Sequence, residues 1–324
     1  MVTNKENIQM LLNGEMPEFV PVYIKDFTIA FLKEFWPSKQ GDPFGVIWTP
    51  DISGDMPDPK RPLLDSICNW RKQVRLPEID SINWEEVNAG IKARHTEDKM
   101  LSFWVGTPIG GAFLPIINML GVEEGLCALI EEPEACKEFV DYITDYYVKL
   151  IYVLGDKVKP DCVLWLDDLC TAQSLFFSYD IYTGIFRDSQ RQIVKAIQEI
   201  GAVPQMHCCG NCELIVDDFV DMGVRIWEPV QSKLNDLKAI QKKHGSKLIF
   251  NGVWQIDQKR AMPYTSEEDS RQAVRDCMDE YFGDGGMIFH AGSTFGNSED
   301  DKRRFAWVYD EAEKYGREFY KKRR

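Results

Sequence analysis

From residue 100 onward, short apolar runs alternate with longer stretches whose apolar residues recur at helical spacing. The runs at 101–106, 161–166, 202–208, 224–230, 248–253 and 287–291 are rich in Val, Ile, Leu and aromatic side chains, which predicts buried strands. Between them, residues 188–200 place Ile193, Val194, Ile197 and Ile200 on one helical face, and 211–222, 235–244 and 266–282 read as further helices. Ser266 and Asp269 give the last of these a capping signal. Strands alternating with helices imply βαβ units and a parallel sheet.

The first hundred residues are less regular. A short helix is expected near 5–12 and strands at 20–24 and 45–49, followed by a Pro- and Asp-rich loop insertion at 50–62. Together with the later runs this makes eight candidate strands, the number a (β/α)8 TIM barrel requires. A doubly wound sheet has less support, because no Gly-x-Gly-x-x-Gly follows a strand. The expectation is one α/β barrel domain over 1–324, its irregular N-terminal part occupying about 1–95.

Composition narrows the function classes. With 38 Lys and Arg against 52 Asp and Glu, the formal net charge is −14, so a nucleic-acid surface is not expected. The basic run Lys321–Arg324 suits a helix end. No stretch is long and apolar enough for a membrane span, and the N-terminus lacks a signal-type apolar segment, so a cytoplasmic location is expected. There the nine cysteines should stay reduced. A homodimer is left open.

Barrel enzymes carry their chemistry at the C-terminal ends of strands. Here those ends read Asp167-Asp168, His207-Cys208-Cys209-Gly210, Glu228-Pro229, Asn251-Gly252-Val253-Trp254 and His290-Ala291-Gly292-Ser293. Alternation along a strand points His207 and Cys209 the same way and Cys208 the other. An imidazole and a thiolate so placed can grip zinc. Cys212 reads as part of the following helix. Asp167 or Asp168 is a general-acid candidate, with His207 as the third catalytic residue. Trp48, Trp104, Trp165, Trp227 and Trp254, with Asn251, are candidates to line a substrate pocket.

His207-Cys208-Cys209-Gly210, followed by Gly223-Val224 and Pro229-Val230-Gln231, resembles the uroporphyrinogen decarboxylase superfamily. In particular it is similar to the branch of corrinoid- and coenzyme-M-linked methyltransferases, whose motif is His-x-Cys-Gly. Asp42-Pro43-Phe44-Gly45-Val46-Ile47-Trp48, Asp167-Asp168, Ser178-Tyr179-Asp180-Ile181-Tyr182 and Gly285-Gly286-Met287-Ile288 match other landmarks, so the resemblance spans about 5–320. It implies a (β/α)8 barrel with its site at the mouth. It also implies a metal-assisted methyltransferase, zinc as cofactor, and methyl transfer between a small methylated donor (a methyl ether or methylamine) and a corrinoid protein as partner.

Two departures carry chemistry. The porphyrinogen decarboxylases bear an N-terminal arginine segment that grips substrate carboxylates, whereas Pro21-Val22-Tyr23-Ile24-Lys25-Asp26-Phe27 has no arginine. An acidic chain without it suits a polycarboxylate poorly. The zinc methyltransferases usually complete their site with a cysteine where this chain has Ser293, so His207 and Cys209 need a replacement ligand, Glu228 or His290, with Asp168 a weaker candidate. The alternative is a decarboxylase or related lyase acting on a small carboxylic acid, with Asp168 and His207 as acid and base and Lys25 or Arg94 as carboxylate anchor. A binding module with a decayed site is a third reading.

Overall fold

The computed structural model describes residues 2–35, 41–51, 54–106, 110–254, 266–291 and 298–323. Among the described residues there are nine strands: β1 Phe27–Phe31, β2 Trp48–Asp51, β3 Gly54–Pro57, β4 Met100–Val105, β5 Cys162–Leu166, β6 Val203–His207, β7 Ile226–Gln231, β8 Ile249–Val253 and β9 Met287–His290. Seven form a curled parallel sheet in the order β1-β4-β5-β6-β7-β8-β9, while β2 and β3 pair as a separate antiparallel hairpin. Each parallel neighbour follows its predecessor through helical crossovers, as in a TIM barrel.

The sheet does not close through a continuous ladder. One parallel bridge joins Val22 to Phe289 of β9, with the Phe289 N–H donating to Pro21 O at 2.8 Å. The chain then makes a helical turn, Tyr23–Asp26, before entering β1. This corrects the expected first strand at 20–24. The buried Asp26 carboxylate accepts the Val22 N–H at 2.7 Å, fixing the turn, and the ladder resumes only at Phe27. The expected strand at 45–49 also lies outside the barrel. There the Asp42 carboxylate accepts the Phe44 and Val46 N–H groups and the Trp48 indole N–H (2.9, 3.1 and 2.7 Å), curling the run into the approach to the hairpin. A side-chain acceptor that satisfies local N–H groups competes with a ladder.

Strand alternation sorts the side chains into two environments. Inside, Met100, Cys162, Ile226, Ile249 and Ile288 pack with Tyr23 and Phe27 against Ile8, Leu11 and Leu12. The helix Asn4–Leu12, opened by a Thr3/Glu6 capping box, thus plugs the N-terminal end of the barrel. Ile8 is fully buried, and truncating it to Ala would cost about 2–5 kcal/mol. Outside, Leu101, Phe103, Val163, Trp165, Met206, Trp227, Phe250 and Phe289 belong to the core between sheet and helices. The later helices lie close to expectation, at Arg187–Glu199, Leu237–His244 and Glu267–Tyr281. The one after β6 is shorter, Val216–Met222, because residues 210–215 form a hydrogen-bonded loop first. No helix among the described residues is long and apolar enough to cross a membrane.

Candidate functional site

Moving up the barrel interior from the apolar plug, the next inward positions are polar. Tyr23 Oη accepts the Trp104 Nε1–H and the Gln205 Nε2–H, each at 3.2 Å, and lies 3.4 Å from Ser102 Oγ. Asn251 on β8 is fully buried, and neither its amide oxygen nor its nitrogen has a hydrogen-bond partner among the described residues. A buried amide in that state loses about 1–3 kcal/mol per unsatisfied group, so it is a position that a ligand or water can satisfy.

Above this layer lie the ionisable groups. His207 Nδ1 is 2.5 Å from Glu228 Oε2, across the β6–β7 pair where the two residues are in register. Its other nitrogen, Nε2, is 3.5 Å from Asp168 Oδ1. Glu228 Oε1 lies 3.7 Å from His290 Nε2, so this buried carboxylate bridges two imidazoles. His290 Nδ1 is 2.9 Å from Tyr309 Oη, which also accepts the Ala291 N–H at 3.0 Å. The same Asp168 oxygen that faces His207 accepts the Cys209 N–H at 3.0 Å.

The electrostatics follow from this arrangement. Burial pulls the His207 pKa down, but the Glu228 and Asp168 carboxylates outweigh it and hold the imidazole up to about 9. Burial pushes Glu228 up, yet the His207 charge reverses this and leaves it below the ordinary carboxylate value. The two directions describe one ion pair. His290 is lowered, chiefly by burial, despite the attraction of Glu228. Burial raises the Cys209 thiol well above its ordinary value.

Of the residues expected from sequence, Asp168, His207, Cys209, Glu228 and His290 meet at this end of the barrel. The four expected metal ligands His207, Cys209, Glu228 and His290 do not form a preassembled cage: no three of their donor atoms gather within 4.8 Å of one another. Glu228 is turned toward His207 Nδ1 and so stands behind the imidazole. Asp167 is separated from Asp168 in role. It is fully buried, and its two oxygens accept the Ala112 and Phe113 N–H groups at 3.1 Å each. Burial nevertheless raises it to about 7.

The expected tryptophan pocket is not assembled. Trp165 and Trp227 occupy outward strand positions, packing on Tyr147 and Phe219 of the surrounding helices, and Trp254 packs near Phe289 in the same layer. Trp48 donates to Asp42 beside the hairpin. Parity explains this: Trp165 and Trp227 are each one residue away from an inward position. Trp104 alone faces inward, through its bond to Tyr23. The anchors of the lyase alternative are elsewhere: Lys25 pairs with Glu313 on the surface at 3.3 Å, and exposed Arg94 donates to Gly90 O at 3.3 Å. Ser293 lies outside the described residues.

Tyr23, Ser102, Gln205 and Tyr309 were not among the sequence candidates. Gln205 shares its strand face with His207, and Ser102 with Trp104, so alternation was the available signal. Tyr309 sits in the final helix, where nothing in the local sequence distinguishes it from a core tyrosine.

Comparison with known proteins agrees with this architecture. No curated protein matches the chain. Among solved structures, a methyltransferase from Methanosarcina mazei aligns with a TM-score of 0.64 at 12% identity, covering 97% of this chain and 99% of that one. A Bacteroidetes-affiliated GH5 cellulase aligns with a TM-score of only 0.33 at 13% identity, over 70% of this chain and 63% of that one. The sequence model of the uroporphyrinogen decarboxylase (URO-D) family matches residues 55–296, which include Asp168, His207, Cys209, Glu228 and His290. The protein therefore belongs to the uroporphyrinogen decarboxylase family.

Proposed function

We propose that this chain is a methyltransferase that moves a methyl group from a small methylated donor, a methyl ether or methylamine, to a corrinoid carried by a partner protein, with zinc at the barrel mouth. The observation that carries the reading is the His207 environment. A buried carboxylate takes Nδ1 at 2.5 Å, which leaves Nε2 facing Asp168, the residue whose same oxygen accepts the Cys209 N–H. Metal-bound imidazoles are oriented this way, by a carboxylate on the far nitrogen. The kinds of donor suit zinc, since imidazole nitrogen, thiolate and carboxylate are the three it takes, and holding it would require them to draw closer than they stand, because these three donor atoms do not lie within 4.8 Å of one another. His207, Cys209 and Asp168 would hold it, with Glu228 as the orienting partner. When bound, it would supply a Lewis acid that polarises the donor's oxygen or nitrogen.

The remaining steps belong to the chain. Asn251, with its unpartnered amide, and Tyr23 would orient the donor beneath the metal ligands. In an ether, the bond from methyl carbon to oxygen breaks, the methyl leaves its electron pair on the oxygen, and cobalt(I) of the corrinoid supplies the pair for the new carbon–cobalt bond. The leaving oxygen then takes a proton, for which His290, with Tyr309 Oη 2.9 Å from its Nδ1, would serve as the relay. The structural likeness to a methyltransferase supports this reading, as does the absence of Lys and Arg from every strand of the parallel sheet. A polycarboxylate site needs such cations.

The test is a spectrum. Zinc-loaded protein, free cob(I)alamin and a panel of methyl ethers and methylamines are mixed anaerobically. Conversion of cobalt(I) to methylcobalt(III) is expected with at least one donor, falling 100-fold or more in His207→Ala, as loss of a central catalytic group does. Carbon dioxide release from small carboxylic acids, with no methylcobalt formed from any donor, would overturn the proposal in favour of a lyase.

A further inference from the structure

On the reverse side of the same strand ends, three thiols converge. Cys170 follows β5, Cys208 follows β6, and Cys212 lies four residues further on. All three are buried, and their Sγ atoms lie within 4.8 Å of one another, with Cys208 and Cys212 3.6 Å apart. We infer that Cys170, Cys208 and Cys212 form a second metal site, one that takes a thiophilic d10 ion, Zn2+ or Cu+, and is separate from the His207–Cys209 centre.

The distances suit an ion. Zinc–sulfur bonds are about 2.3 Å, which puts sulfurs about 3.8 Å apart around a tetrahedral ion and about 4.0 Å apart around a trigonal one. The Cys208–Cys212 separation of 3.6 Å is close to the tetrahedral value, and every pair lies within 4.8 Å. Soft thiolates select zinc and copper(I) over hard cations. Free cysteines that act merely as small hydrophobes have no reason to bring their sulfurs together from three points of the chain.

The surrounding loop is built to aim them. Gly210 has φ +97° and reverses the chain between Cys208 and Cys212, and a Cβ at this position would lie 2.4 Å from Thr171 O. Asn235 Nδ2 donates to Gly210 O and Gln231 O at 3.0 Å each, while Asn235 Oδ1 accepts the Cys212 N–H at 2.9 Å. Asn211 N–H donates to Thr171 O at 2.8 Å, tying the Cys208–Cys212 loop to the one that bears Cys170. Seven hydrogen-bonding atoms thus hold the turn that brings the thiols together.

The site is closed to solvent, so the ion has a structural role. It would clamp the loops that follow β5 and β6, one bearing Asp168 and the other Cys209, just beyond His207 at the strand end. Cys208 and Cys209 are neighbours on opposite faces of the chain, so an ion on one side fixes the backbone from which the other side projects. Each ligand enters as a thiolate, and loading therefore releases protons.

The experiment strips the full-length reduced protein of metal under anaerobic conditions and titrates it with Co2+ as a spectroscopic probe. A strong sulfur-to-cobalt charge-transfer band is expected in the wild type, retained in His207→Ala and Cys209→Ser, and reduced at least twofold in Cys170→Ser and Cys212→Ser. Displacement of cobalt by Zn2+ in one arm and by Cu+ in another identifies the resident ion. Where the serine variants fail to fold, alkylation of the wild type decides: Zn2+ or Cu+ should protect Cys170, Cys208 and Cys212 together. The inference is overturned if the band depends on Cys209 and His207 alone, if no ion protects the three thiols, or if the metal-free protein already holds a Cys208–Cys212 disulfide. Because the His207→Ala and Cys209→Ser variants must keep this site, its failure is distinguishable from failure of the proposed methyl transfer.

Discussion

On the mouth side of the β6 end, His207 and Cys209 stand with Asp168, Glu228 and His290 in a partly solvated network of charges and hydrogen bonds. On the other side of the same few residues, Cys208, Cys170 and Cys212 are sealed between sheet and helices, beside Trp227, whose indole donates to Cys208 O at 2.9 Å. The after-β5 pair divides in the same manner: Asp168 faces His207, while Asp167 is consumed by two backbone N–H groups. Residues of one chemical type, adjacent in sequence, thus have separate tasks because a strand end presents alternate faces. The mouth side holds groups that can change charge or ligand, and the reverse side holds groups that fix the backbone on which they stand.

The largest effect expected from breaking this division is at Glu228. It is buried, and it is the charge partner of His207 on one oxygen and the neighbour of His290 on the other. Glu228→Leu removes the carboxylate but leaves the imidazole, and breaking a buried pair from one side costs about 3–5 kcal/mol. The midpoint of urea unfolding should fall accordingly, and the His207 pKa, measured by NMR, should drop from about 9. An unchanged His207 titration would mean that Glu228 does not govern the mouth.

Next in size is the aspartate pair. Asp167→Asn points an amide N–H2 at one of two backbone N–H donors, and an unsatisfied buried donor costs about 1–3 kcal/mol. The pH dependence gives a second readout. Burial raises folded Asp167 from 3.8 to about 7, so between those values the folded state holds a proton that the unfolded chain has released. Wild-type stability should therefore decline as pH rises through that window, by at most about 1.4 kcal/mol per unit, and level off above it. The Asn variant should lack this slope. Asp168→Asn, by contrast, keeps an oxygen that can accept the Cys209 N–H on a half-buried side chain, so it should cost less stability than Asp167→Asn and abolish turnover. If the two variants gave the same profile, the division of the pair would fail.

How much of this was legible in sequence depends on which force decides. The six later strands and their helices follow from apolar periodicity, because burial on both faces of a parallel sheet leaves an unmistakable run. The pairing of His207 with Cys209, against Cys208, follows from alternation alone. The N-terminal strand was misplaced because Asp26 and Asp42 capture nearby N–H groups, and a single carboxylate in a loop does not announce that role. The tryptophans were misjudged for a different reason: residue type suggested a pocket, whereas parity sends Trp165 and Trp227 outward. Tyr309, the partner of His290, comes from an element 19 residues away in sequence, a contact that only the tertiary fold creates. The three-thiol convergence was missed because Cys170 joins the other two through the β5–β6 pairing, which no spacing encodes.

The smallest effect tests whether the outward tryptophans are packing or structure-setting. Trp227 and Trp165 are both buried in the sheet–helix layer, but only Trp227 has a partner for its indole N–H, the Cys208 carbonyl. The Trp165 Nε1 has none among the described residues. Replacing each by Phe removes similar apolar volume, so the cavity terms should nearly cancel between the two variants. What remains is the hydrogen bond, about 0.5–1.5 kcal/mol, and Trp227→Phe should be the less stable variant by that amount in urea unfolding. Trp165→Phe also removes an unsatisfied donor, which offsets part of its packing loss. Equal stabilities would mean that the Cys208 carbonyl gains nothing from the indole. A larger gap would show that the indole helps to hold the strand end, and with it the backbone shared by Cys208 and Cys209.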